Sequence, residues 1–490
     1  MEGAAGNLES TIPPLTFPAW LCLATGQNPG KLGIYSFVED YETMTDFKIV
    51  NAQMVKAKRI WNLLDEHGGS SCILNMPGTY PPDQLNGVMV SGAFVPPKRR
   101  DYAYPRELVQ KLEDMGYYST VLEDQEIGLL AGSPNNVEQK RQAYEAEFEK
   151  MKKLESLVRI LAEQAHWDLF FILFDGTDRV QHLFWDDQSA LLKYYSKIDN
   201  TLHDIVDMFE KDHASPTIFI ASDHGFHSFP TLRFSLSAWL EAEGFARRAP
   251  NRGSLLLFLG RVANSILKKV GVDLQSFFPE VGRKLLVKSY NDHWSNQEVK
   301  PSFFGIFVNK TLGEEARSKI VDSLMTKLRL VTYESEAVFQ QVLRREDIYS
   351  GEHLSRAPDV VFLTKQRYFA DPLDHTTKIF SQMKGWPAAP HVTGHHTSAR
   401  RGILIVHGQH IKPGKWLPDA SIMDVAPTIL HTLGLSIPAD MDGRVLSEIF
   451  AEDSEPGRRP VIVVAAQGKT AREKERLARL IPDLGRSGLL

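Results

Sequence analysis

Apolar residues fall at two periods along this chain of 490 residues. Short unbroken runs alternate with stretches where apolar positions recur every three or four residues. The run LFFILF (169–174) is aromatic and β-branched in character and shows no alternation, which predicts a strand covered on both faces. Before it, Tyr144, Phe148, Met151, Leu154, Leu157, Val158 and Leu161 recur at helical spacing; after it, Ile198, Leu202, Ile205 and Phe209 do the same. Helix, buried strand, helix predicts an α/β protein with a parallel sheet between helices.

The pattern repeats. TIFIASDHGF (217–226) and GILIVHG (402–408) predict two more buried strands, with SSCILNMP (70–77), NGVMVSG (86–92) and FFGIFVN (303–309) as further strands. Helices are expected over 135–165, with Asn135 and Glu138 as a capping box, over 193–211, and over 421–434. Residues 230–380 mix the two patterns and read as an inserted or second lobe within one domain spanning 1–450. Residues 451–490 read as a tail ending in a charged helix, AREKERLARL.

Composition narrows the class. With 43% hydrophobic and 24% charged residues the chain can bury a large core. A formal net charge of -5 leaves no electrostatic footprint for nucleic acid. Cys22 and Cys72 are the only cysteines, which excludes a disulfide scaffold and is compatible with a reducing compartment. No run reaches membrane-span length. The nearest, 254–272, is broken by Arg261, Lys268 and Lys269 and reads as a helix packed on the protein. Met1 is followed by no leader pattern, so a cytoplasmic location is the expectation.

The predicted strands end in acids and histidines. Asp178 and His182 follow the first. Asp223 and His224 follow IFIAS directly. His391, His395 and His396 precede the third. In parallel sheets ligands gather at strand ends, and carboxylate oxygen with imidazole nitrogen suits zinc and similar divalent ions. A single pair also reads as a helix cap and a packed histidine; three such groups on one sheet point to a metal centre. Far upstream, Pro18 in TFPAWLCLAT fits the first turn of a helix. That places Thr16 or Phe17 near a helix amino terminus, where the dipole favours an anion. A hydroxyl there, close to a metal, can attack phosphorus. Threonine is also a common N-cap, so Thr16 alone carries either reading.

Taken together, TFPAW with TGQNPG, TDRVQH, SDHGF and GHH resembles the type I phosphodiesterase/nucleotide pyrophosphatase family of the alkaline phosphatase superfamily. NMPGTYPPDQLNGVMVSG (75–92), REDIYSG (345–351), APDVVF (357–362) and IMDVAPTILHTLGLSIPADMDGRVL (422–446) extend the resemblance from about Ser10 to Phe450. It implies an alkaline phosphatase-like three-layer sandwich with a mostly parallel central sheet and an inserted lobe. It also implies two divalent metal ions, zinc or else manganese, and a small-molecule phosphate ester or nucleotide as substrate. Asp178, His182 and His396 match the ligands of one ion, the Gly-x-His spacing favouring His396 over His395. Asp223 and His224 match ligands of the other, and Thr16 matches the nucleophile. The implied reaction is two-step: Thr16 attacks phosphorus and water then hydrolyses the phosphothreonine, with the two ions roughly 4 Å apart over the entering and leaving oxygens.

The chain departs from the family pattern twice. Nucleotide-cleaving members carry Asn at the end of a GIIDN-like segment, where this chain reads GIYSF and has Phe37. That weakens the case for a nucleotide. Phe17, Trp20, Tyr35, Phe37 and Tyr80 remain aromatics able to stack on a base, and Phe17, Phe37 and Tyr80 are the substrate-facing candidates. A phosphomonoesterase, a phosphonate or lipid-headgroup hydrolase, and a degenerate non-catalytic member are the competing readings. A sulfatase is disfavoured because Cys22 is followed by LATG. Second, the family opens with an apolar strand ending in an aspartate ligand. MEGAAGNLES shows no apolar run, and Glu2 and Glu9 are expected to end no strand. The expectation is a chain that starts inside the domain, short of one strand, one ligand and any leader.

Overall fold

The computed structural model describes residues 2–38, 49–93, 95–96, 99–117, 137–211, 215–247, 293–294, 297–373, 378–383 and 391–465. Its first element corrects an expectation. The weakly apolar segment Ala4–Glu9 is a strand, β1, with Ala4, Gly6 and Leu8 buried in strict alternation. No apolar run is needed, because β1 lies between two partners that close on it. A Cβ at position 6 would come 2.0 Å from the Leu417 carbonyl oxygen, so only glycine permits this approach. Glu9 does end this strand, but its carboxylate faces Arg400 and Arg401 at 3.3 and 3.1 Å.

The chain continues through α1 (Thr16–Thr25), β2 (Ser71–Leu74), β3 (Gly87–Val90), β4 (Ala103–Tyr104) and the long helix α2 (Val137–Ala162). Then come β5 (Leu169–Ile172), α3 (Gly176–Phe184), α4 (Gln188–Lys211) and β6 (Ile218–Ala221). After the intervening lobe follow β8 (Gly394–His395), β9 (Arg401–His407), β10 (Lys415–Ser421) and α5 (Val425–Thr432), where β8 pairs with the earlier β7 (His227–Ser228). Two four-stranded sheets result, in the orders β4-β3-β2-β5 and β10-β1-β9-β6. The first is parallel except for β4, as the apolar runs predicted. In the second, β9 runs antiparallel to both β1 and β6. Its residues alternate between exposed and buried, the signature of a strand wet on one face, and GILIVHG conceals this because Ile403 and Ile405 face outward. β5 and β6 are half-buried rather than covered, because each is the outermost described strand of its sheet.

One apolar core joins the sheets. Leu169 and Phe171 of β5 and Phe219 and Ala221 of β6 pack against a cluster that includes α1 and α5. α1 is buried nearly all round, and Phe17, Leu21 and Leu23 contribute about 1.5–3 kcal/mol each. The residues after Ser228 build a second cluster around Phe234, Trp239, Ile306, Leu324 and Phe362. It rests on an antiparallel sheet of Val299–Ser302, Gly305–Val308, Phe339–Arg344 and Val360–Thr364 and on the helix Glu314–Arg329. No described helix is long and apolar enough to cross a membrane. The expected cap at Asn135, the basic stretch 254–272 and the charged helix 471–480 lie outside the described residues.

Candidate metal centre

Asp178 sits in the first turn of α3 and His182 one turn later, so both side chains project from one face. The pairing of β7 with β8 sets His395 opposite His227 and carries the Gly-His-His segment over that face. The result is a group of three donors, Asp178, His182 and His396, all within 4.8 Å of one another. Asp223 and His224 follow β6 and complete the cluster. His224 stacks on His396 with ring centroids 3.9 Å apart.

The backbone decides which nitrogen each ring presents. A carbonyl can only accept, so the Nδ1–H of His182 donates to Gly394, that of His396 to Pro14 and that of His224 to Gly225, at 3.0, 3.1 and 3.0 Å. In its neutral form each of the three rings then offers an Nε2 lone pair, the arrangement that holds metal-ligating imidazoles in orientation. These Nε2 atoms face acceptors: His182 lies 3.5 Å from Asp178 and His224 lies 3.2 Å from Asp223. Lone pairs aimed at one another repel unless a cation lies between them. Among the described residues Asp178 Oδ1 is buried with no hydrogen-bond partner, which adds an orphaned acceptor to the set. Burial pushes the Asp223 carboxyl above the usual range, neighbouring His224 lowers it, and the charge of Asp178 raises it further. A divalent ion satisfies each of these conditions, and the nitrogen–oxygen donor set fits zinc or manganese.

His395 is arranged the opposite way. Its Nδ1 accepts from the amides of His396 and Thr397 at 2.9 and 3.1 Å. The neutral ring then carries its proton on Nε2 and has no lone pair there for an ion. Burial holds both His395 and His396 well below the ordinary histidine range, with neighbouring histidines acting in the same direction.

Thr16 is the first residue of α1 and caps nothing; the cap position belongs to Leu15, which makes no side-chain bond. The Thr16 hydroxyl lies 3.5 Å from His224 Nε2. The helix thus delivers a hydroxyl at its amino terminus to the His224 side of the cluster, where the helix dipole favours an anion.

The aromatics behave differently. Phe17, expected to face substrate, is 2% exposed and fills the core. Trp20 packs edge-on against Phe171, and Phe37 is half-buried against the same core. The Tyr80 hydroxyl donates to Asp101 at 2.9 Å and accepts from Arg99 at 2.8 Å. Helical spacing explains Phe17: neighbours along a helix face different directions, and only Thr16 turns to the site. Sequence reasoning did not single out Phe226. Its ring lies 4.9 Å from His182 and 5.8 Å from His396, a wall between the imidazoles. Its place beside SDHG was the available signal. The carbonyls of Pro14, Gly225 and Gly394 carry no side-chain signal at all.

An α/β fold with a hydroxyl beside clustered carboxylates and imidazoles defines the class of a hydrolase acting on phosphoric esters. The chain belongs to the type I phosphodiesterase / nucleotide pyrophosphatase family, whose model matches residues 2–387. It is therefore a phosphoric ester hydrolase of a metal-dependent family, with an alkaline phosphatase-like fold. Among solved structures, it is similar to an inactive threonine-to-alanine variant of murine ectonucleotide pyrophosphatase / phosphodiesterase 5 in complex with AMP. That match has 11% identity, 92% coverage of each chain and a TM-score of 0.50. The human ectonucleotide pyrophosphatase / phosphodiesterase 5 is similar at 13% identity, with 92% coverage of each chain and a TM-score of 0.50. At these identities the likeness concerns the fold. No curated protein matches the chain.

Proposed function

We propose that the chain hydrolyses a small-molecule phosphodiester in two steps, with Thr16 as nucleophile and phosphothreonine as intermediate. The observation that carries this reading is the Thr16 hydroxyl, free of any capping bond and 3.5 Å from His224 Nε2. Asp178, His182 and His396 would hold one divalent ion, and Asp223 and His224 another. When bound, such ions neutralise phosphoryl oxygens and make a nearby hydroxyl more acidic. Thr16 Oγ1 forms its bond to phosphorus as the bond to the leaving alcohol breaks. The amino-terminal end of the α1 dipole favours the negative charge of the phosphoryl group. Water then cleaves the phosphothreonine and frees Thr16. Phe37, half-buried and without a polar group, offers nothing to a phosphoryl oxygen. This favours a diester other than a nucleotide.

The test is turnover of an aryl phosphodiester against an aryl phosphomonoester, with added zinc or manganese, by the native chain and by Thr16→Ala. The expected result is diester preference and loss of more than about a thousandfold in the variant, on the order of 4 kcal/mol of barrier. Activity within about tenfold of native would remove Thr16 from the nucleophile's role.

A further inference from the structure

Arg179 follows Asp178 directly in sequence, yet its cation is turned elsewhere. Nε and Nη2 donate to the two carboxylate oxygens of Glu147 at 2.8 and 2.6 Å. Nη1 and Nη2 donate to Asp175 at 2.7 and 2.9 Å. Glu147 comes from α2 and its side chain is 9% exposed; that of Arg179 is 12% exposed. Lys150, one turn along α2, lies 3.2 Å from Glu147. Among these four described side chains two cations face two carboxylates, and their formal charges cancel. It is also closed. A Cβ on Gly176, the first residue of α3, would lie 2.1 Å from the Tyr194 hydroxyl and 2.9 Å from Glu147 Oε2.

This placement bears on the metal centre. A guanidinium beside Asp178 competes with a divalent ion for the carboxylate and repels the ion through space. Adjacent helix positions face different directions, and bidentate pairing in a fixed fork geometry both fixes the guanidinium on its own side and neutralises it. We propose that Glu147 is a positioning residue for the metal centre: with Asp175 it fixes and neutralises Arg179, whose charge would otherwise weaken the hold of Asp178 on a divalent ion. The inference rests on the reading of Asp178, His182 and His396 as metal ligands.

The full chain, stripped of metal, is titrated with Co2+ alone and followed by visible absorption. Thermal unfolding of the metal-free protein is recorded in parallel. Glu147→Gln leaves the cluster with a net positive charge, and Co2+ affinity is expected to fall about tenfold. Asp175→Asn makes the same change from a more exposed position and is expected to act in the same direction, should the first variant fold poorly. The double variant Glu147→Gln/Arg179→Met returns the cluster to zero net charge. Its Co2+ affinity is expected to recover to within about threefold of native, with no recovery of thermal stability. Unchanged affinity in both single variants, or a double variant as weak as Glu147→Gln, overturns the proposal and leaves Glu147 a packing residue. Asp178→Asn separates the two readings. If it binds Co2+ as the native chain does, the ligand assignment falls whatever Glu147 does.

Discussion

His224 and His396 lie face to face, their rings 3.9 Å apart and 10° from parallel. Each donates its Nδ1 proton to a backbone carbonyl, His224 to Gly225 and His396 to Pro14. Two neutral rings stack without cost, whereas two imidazolium ions at this distance repel strongly. Burial holds His396 in the uncharged form in which imidazole binds metal, and the stacked geometry suits that form.

The first consequence concerns metal content. His182→Ala and Asp178→Asn are expected to remove one ion and Asp223→Asn the other, each by elemental analysis of the purified protein. His396→Ala should behave like His182→Ala, whereas His395→Ala should retain metal because its Nδ1 is already engaged by two amides. Loss of metal in His395→Ala with retention in His396→Ala would reverse the assignment.

How far the sequence could have led to this point differs by residue. Asp178 and His182 were legible because they follow directly on an apolar run that reads as a buried strand, where ligands gather. Thr16 was legible through Pro18, which locates the helix start. The choice between His395 and His396 rested on spacing, while the physical discriminator is a set of backbone carbonyls that no side-chain pattern encodes. β1 was missed for a related reason: small residues, not apolar ones, fit between two closely approaching strands. β9 was expected to be covered on both faces because isoleucines on its exposed face look like core residues in a linear reading.

β1 gives the second prediction. Gly6→Ala forces a methyl against the Leu417 backbone. It is expected to cost about 1–3 kcal/mol, read as a lower thermal midpoint. Ala5→Ser, at a half-buried position on the other face of β1, should stay within about 0.5 kcal/mol. Equal midpoints for the two variants would contradict the pairing of β1 with β10.

The third prediction is the effect of metal removal. The facing lone pairs of Asp178, His182, Asp223 and His224 are relieved only by a cation or a proton. Chelation should therefore lower the thermal midpoint at neutral pH, and the shift should vanish in the double variant Asp178→Asn/Asp223→Asn. A chelator-induced drop of the same size in that variant would place the relevant ion elsewhere.

The last prediction follows from the buried histidines of the metal-free protein. His395 and His396 titrate well below the ordinary value of 6.5, chiefly because burial disfavours their charged forms. Below that pH the unfolded chain binds protons that the folded chain does not. Folding stability is therefore intact above about pH 6.5 and falls as pH drops, by on the order of 1 kcal/mol per histidine per pH unit until the folded rings protonate. Asp223 works in the other direction. Its raised carboxyl lets the folded chain take a proton before the unfolded chain does, which returns some stability at acid pH above the ordinary value of 3.8. His227 is lowered by burial as well, and three histidines outweigh one carboxylate, so the thermal midpoint of the chelated protein should decline from pH 7 to pH 5. His395→Phe keeps the ring volume and removes one titrating group, so its decline should be shallower. An unchanged slope in that variant would show that His395 does not contribute to the acid sensitivity.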